Sequence, residues 1–193
     1  MIGLKFDDVR SLEGGIDAWH GPVASGAYDH GFFLLGDTPT TAQALGFALS
    51  LEEGSRVFYA GIRDRMAGAD RELLDGLVLA EERHAALLRD CAARLGVAPS
   101  PAPGDGTGGE RAADWLEGVI RVDRALAWAG APGRAAADIL DLAMQVEANS
   151  LDLYLKLSRR ADMAPVRAPL EKLIAEEKTH LAGLGTRLGA LPT

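Results

Sequence analysis

The chain is nearly free of cysteine. Cys91 stands alone among 193 residues, which excludes an internal disulfide and any iron or zinc module built on paired CxxC motifs. The simplest compartment for such a chain is a reducing cytoplasm. Long apolar runs are missing as well, and none reaches the roughly 18 residues of a membrane span. The opening MIGLKFDDVR lacks the apolar centre of a secretory signal. Basic charge is in deficit. A net charge of −8 argues against a nucleic-acid partner, whose phosphates attract Lys and Arg. Hydrophobic and charged content are those of a globular protein long enough to bury a core.

What the chain does have is a repeat that carries ionisable residues. The first copy contains Glu52, Tyr59, Glu81 and His84; the second contains Glu147, Tyr154, Glu177 and His180. Glu52 and Glu81 are 29 residues apart, and Glu147 and Glu177 are 30 apart. The local strings also align, ALSLEEGSRVFY with AMQVEANSLDLY and LAEERH with IAEEKTH. Self-similarity over this length marks a duplicated supersecondary unit.

Four segments show helical period, with core positions at steps of three and four. They read Leu45, Ala48, Glu52, Ser55, Tyr59, Ile62; then Leu74, Leu77, Glu81, His84, Leu88, Cys91, Leu95; then Leu140, Ala143, Glu147, Ser150, Tyr154, Leu157; and Leu170, Leu173, Glu177, His180, Leu184. Each apolar stripe is interrupted by ionisable groups at the same depth. Thr38-Pro39 or Thr40 starts the first helix, Gly68 and Asp70 mark a short turn, and Gly96 closes the second. Residues 97–109 form a Pro/Gly linker, and residues 111–130 read as a helical part of a crossover, with Trp115 and Trp128 anchoring it or forming a dimer contact. Met163-Ala164-Pro165 separates the third helix from the fourth. The expected fold is all-α: two antiparallel hairpins joined by one long crossover, the plan of a ferritin-like four-helix bundle over residues 37–193. Residues 1–36 lack helical period and form a separate, irregular segment.

Residues three apart on a helix are separated by 300° of turn and a rise of about 4.5 Å, so Glu81–His84 and Glu177–His180 each point two ligands at one centre. Glu82 falls on nearly the opposite face from His84, and Glu53 lies off its stripe. Glu176, four residues from His180, is not excluded by angle; the repeat favours Glu177. Four carboxylates in one core repel each other and lose solvation, at several kcal/mol each in practice. Two divalent ions remove that cost. One Glu from each of two helices and Glu-x-x-His from each of two others is the ligand pattern of di-iron and di-manganese carboxylate bundles. The expected ligands are therefore Glu52, Glu81, His84, Glu147, Glu177 and His180. Glu and His suit iron, manganese and zinc alike. Tyr59 and Tyr154 lie about 10.5 Å along from their own glutamates; in antiparallel packing they could orient carboxylates on a neighbouring helix, the alternative being core tyrosines whose hydroxyls are satisfied elsewhere. Cys91 falls on a core stripe and reads as an inert buried thiol. His20 and His30 lie outside the bundle.

From about residue 38 to 190 these motifs resemble the rubrerythrin branch of the ferritin-like superfamily. The resemblance implies a non-haem site of two iron ions that reacts with hydrogen peroxide or dioxygen. It differs in two respects. Rubrerythrins typically carry a further glutamate where this chain has Ser150, and they often carry a rubredoxin domain that one cysteine cannot supply. Electrons are therefore expected from a separate donor protein. SLEGGIDAWHGPVASG, residues 11–26, resembles the end of a rhodanese-like domain. Such a domain's cysteine loop would lie upstream, so no sulfur transfer is expected, and the chain reads as a truncated derivative of a rhodanese fusion or as one with a missed upstream start. Ile16 and Trp19 are expected to pack on the bundle or on a second subunit of a homodimer. The expected activity is peroxide reduction by a di-iron oxidoreductase. The alternatives are a ferroxidase handling iron and a non-catalytic metal-binding interaction module.

Overall fold

The computed structural model describes residues 39–100, 114–116 and 120–191. Residues 1–36, with Ile16, Trp19, His20 and His30, lie outside the described residues, as does most of the Pro/Gly linker. The described residues are mostly helical. Four long helices, α1 (Thr41–Arg63), α2 (Gly68–Leu95), α4 (Ala136–Arg159) and α5 (Arg167–Gly189), supply the core. Between α2 and α4 lie a two-stranded antiparallel ribbon, β1 (Trp115–Leu116) and β2 (Ile120–Arg121), and a short helix α3 (Val122–Ala129). A 3-10 turn, Ala161–Val166, joins α4 to α5.

Local chemistry sets the helix ends. Thr40 caps α1 in a capping box: its side chain accepts from the Gln43 N–H, and the Gln43 side chain accepts from the Thr40 N–H. Such a cap contributes about 1 kcal/mol. Gly96 ends α2 in the left-handed region at φ 66°, where a side chain would be strained. Asp138 holds the entry to α4 by accepting from the Ala135 N–H at 3.3 Å. Arg187 in the last turn of α5 meets Asp70 in the first turn of α2 at 2.5 Å. Each charge there sits at the helix end that favours it.

The core falls into two apolar clusters. One gathers Leu45, Ala48 and Leu51 of α1 with Leu88, Cys91, Leu153, Leu157, Leu170 and Leu173. The other gathers Phe58 and Ile62 of α1 with Leu74, Leu77, Leu140, Ala143, Val146 and Leu184. Each helix therefore contributes to both clusters, and its glutamate falls between its two contributions. The order of the clusters along each helix gives its direction. α1 and α5 run one way, α2 and α4 the other. α2 ends beside the cluster where α1 begins, and α4 begins beside the opposite one, so the connection must travel the length of the bundle.

Three glycines of α1 mark its path. The Ser100 carbonyl lies against Gly46, the Trp115 carbonyl against Gly54, and the Leu126 side chain against Gly61. A Cβ on Gly54 would stand 1.9 Å from the Trp115 oxygen. The Ser100 N–H also donates to the Ala42 carbonyl at 3.0 Å.

Two expectations for the connection are corrected. Residues 111–130 are not one helix. Helix begins only at Val122, after the ribbon. Ile120, β-branched, favours extended chain over helix. Trp128 does not anchor the connection: it is 38% exposed, with the Arg134 guanidinium 3.8 Å above its ring. Val122, Ala125 and Ala129 take that inward role.

Candidate metal centre

Between the two apolar clusters lies a polar layer fed by all four long helices. α1 brings Glu52, α2 brings Glu81 and His84, α4 brings Glu147, and α5 brings Glu177 and His180. The four glutamates and His84 are buried; His180, at 12% exposure, is the one of the six that meets solvent.

The distances tie them into one cluster. His84 Nδ1 lies 3.1 Å from Glu52, 3.4 Å from Glu81 and 3.3 Å from Glu177. His180 Nδ1 lies 2.9 Å from Glu147 and 3.3 Å from Glu177. Glu177 thus reaches both imidazoles, whose rings stack with centroids 5.4 Å apart. Three overlapping triplets have donor atoms all within 4.8 Å of one another: Glu52–Glu81–His84, Glu81–Glu147–His180, and His84–Glu177–His180. All six sequence-derived candidates are in these triplets.

The tyrosines cross between the halves. Tyr59 donates to Glu147 at 2.5 Å, and Tyr154 donates to Glu52. Each phenol is buried in one apolar cluster and lends its hydroxyl to the polar layer. Ser150, also buried, donates back to the Val146 carbonyl of its own helix at 3.2 Å. Glu53 pairs with Arg56 at 2.6 Å, and Glu82 is exposed, so neither belongs to the cluster.

No protein-family model, curated protein or solved structure matches this chain.

Electrostatics decides what such a layer can hold. Burial pushes the Glu81 and Glu177 carboxyls well above the usual carboxylate range, and the facing Glu52 and Glu147 push them further. Burial acts on Glu147 too, but hydrogen bonds from His180, the Glu177 carboxyl and Tyr59 outweigh it and hold Glu147 below that range. For His84 burial favours the neutral ring, yet Glu81, Glu176 and Glu147 outweigh it and raise the imidazole. Among the described residues, no lysine or arginine pairs with Glu81, Glu147 or Glu177. The layer therefore gathers four carboxyl groups whose full ionisation is disfavoured by burial and mutual repulsion, and among the described residues the positive charge set against Glu81, Glu147 and Glu177 is that of the imidazoles alone. A pair of divalent cations fits that deficit, and four carboxylates with two imidazoles suit iron, manganese or zinc.

One contact went unresolved in the sequence. Glu176 Oε2 lies 3.2 Å from His84 Nε2, on the side of the ring away from the cluster. The signal was present: the two Glu–His helices align at an offset of 96, and Glu176 falls where the first copy has Ala80.

Proposed function

We propose that this chain is a rubrerythrin-like di-iron oxidoreductase on a ferritin-like four-helix bundle, reducing hydrogen peroxide or reacting with dioxygen. The observation that carries the reading is the convergence of four buried glutamates and two histidines, from four helices, in overlapping donor triplets within 4.8 Å. Glu52, Glu81, His84, Glu147, Glu177 and His180 would hold the metals. Iron bound there would supply Lewis acidity and the two electrons that, with two protons, convert one peroxide into two waters.

The protein's own groups prepare that chemistry. Glu177, within reach of both imidazoles, suits a carboxylate shared between two metal positions. Tyr59 and Tyr154 each fix one carboxylate oxygen and so set which oxygen remains for a metal. The two apolar clusters close the layer on both sides and keep bulk water out. His180 marks the side from which a small oxidant can enter. Reducing equivalents would come from a separate donor protein.

The test uses the full chain loaded with ferrous ion. Elemental analysis is expected to give two irons per chain, and peroxide consumption with a chemical reductant should be catalytic. Glu81→Ala and His180→Ala should each lose turnover and bound iron. Full turnover in both variants would show that the site is wrongly assigned.

A further inference from the structure

The repeat predicts what should stand at every position around the polar layer, and Glu176 departs from it. At the offset that superposes Glu81 on Glu177 and His84 on His180, its counterpart is Ala80. Ala80 is buried and offers no polar side-chain atom. Glu176 is partly exposed, at 30%, and reaches from α5 to α2 to meet His84 Nε2 at 3.2 Å. His180 has no equivalent: among the described residues, its hydrogen bonds run from Nδ1 to Glu147 and Glu177.

The two nitrogens of His84 therefore have separate surroundings. Nδ1 faces Glu52, Glu81 and Glu177, the interior of the cluster. Among the described residues, Nε2 faces only the outer carboxylate of Glu176. A nitrogen that ligates a metal must present a lone pair, which leaves the ring proton on the other nitrogen. An ionised carboxylate can only accept, so Glu176 selects the form with hydrogen on Nε2. Holding that hydrogen also fixes the ring plane and makes Nδ1 a stronger donor.

We infer that Glu176 is a positioning residue that orients His84 toward the metal position built by Glu52, Glu81 and His84, making the two metal positions of a near-symmetric cluster unequal. The inference rests on reading the cluster as a metal centre. The His84 position is the tighter one, because its imidazole is pre-aimed; His180 relies on its cluster contacts alone. Loss of such a partner typically weakens metal binding about 10–100-fold.

Zinc, being diamagnetic, is the probe. The full-length chain, Glu176→Ala and Glu176→Gln are titrated with zinc against a chromophoric chelator. Long-range proton–nitrogen spectra of the zinc-loaded proteins then report which nitrogen of each histidine carries hydrogen. The wild-type chain should bind two zinc ions with unequal affinity and show a protected Nε2–H on His84. Glu176→Ala should weaken the tighter site about 10–100-fold, leave the other unchanged, and lose the protected proton. Glu176→Gln, whose amide oxygen still accepts, should keep the ring form and recover most of the affinity. Two sites with wild-type affinities and an unchanged Nε2–H in Glu176→Ala would overturn the inference and leave the metal centre standing; equal weakening of both sites would also overturn it. A wild-type chain that binds no zinc would remove the metal centre, and the inference with it.

Discussion

Tyr59 on α1 donates its phenolic hydrogen to Glu147 on α4, across 2.5 Å of space and 88 residues of sequence. Tyr154 returns the contact to Glu52, so each half of the repeat completes the other's carboxylate. Removing one hydroxyl leaves a buried carboxylate oxygen short of a donor. Tyr59→Phe and Tyr154→Phe should each cost about 1.5–3 kcal/mol in urea unfolding of the metal-free protein. Similar losses in the two variants are the expected result; a loss below 0.5 kcal/mol in both would mean the phenols merely fill space.

Glycines on different helix faces should respond to alanine with opposite signs. Gly54→Ala drives a methyl group into the Trp115 carbonyl and should destabilise by about 1–3 kcal/mol. Gly76, exposed in the interior of α2, has no heavy atom of the described residues within 4 Å of where a Cβ would stand. Gly76→Ala should stabilise by about 0.5–1 kcal/mol through helix propensity. Thermal and urea midpoints of the pair check the path of the connection.

The metal-free protein should lose stability as pH rises, unlike most acidic proteins. Glu81 and Glu177 are raised in the folded state, first by burial and then by the facing carboxylates. A group raised on folding gives stability that is full below its unfolded pKa, about 4.3 for Glu, and is lost as pH climbs through the folded value. His84, raised despite burial by Glu81, Glu176 and Glu147, adds a loss of the same sign above about 6.5. Glu147 is held low by His180, the Glu177 carboxyl and Tyr59 and opposes them, but it is one group against three. With chelator present, the melting temperature should therefore fall between about pH 5 and 8. With ferrous ion or zinc present it should rise over that range, because metals displace the protons. Parallel pH profiles with and without metal would refute the charge account.

Cys91 should be silent toward thiol reagents in the folded protein. It is buried at 2% exposure, and burial raises its thiol, so little thiolate is presented to reagent. Its labelling rate should track global unfolding as urea is added. Rapid labelling in buffer alone would contradict the packing of that cluster.

The four helices and the six clustered residues were legible because helical period and ionisable interruption coincide at Glu52, Glu81, Glu147 and Glu177, whereas the turn expected at Gly68 and Asp70 lies before them, at residues 64–67, and both residues open α2. The connection was harder to read. Its ribbon is two residues per strand, too short to show alternation, and Trp128 carries no sign in the sequence that it faces Arg134. Its route was written on another element. Gly46, Gly54 and Gly61 have Asp141, Asn149 and Lys156 as counterparts in the second copy. Glycine stands where backbone or a packed side chain presses on α1, while the second copy has polar residues at the matching positions of α4. Glu176 could not be assigned from helical angle, because its contact depends on where α2 sits beside α5.

The polar layer also bears on how the protein folds. Each half is a helical hairpin of local contacts, the kind of unit that can form early and unfold alone. Each glutamate meets a histidine of its own hairpin, but the phenol that donates to Glu52 is in the second hairpin and the phenol that donates to Glu147 is in the first. A half that formed by itself would leave that carboxylate facing water, without its phenol. The crossed tyrosines are contacts that only the assembled halves can make, so they favour folding of the two hairpins together, although the chain is a tandem repeat.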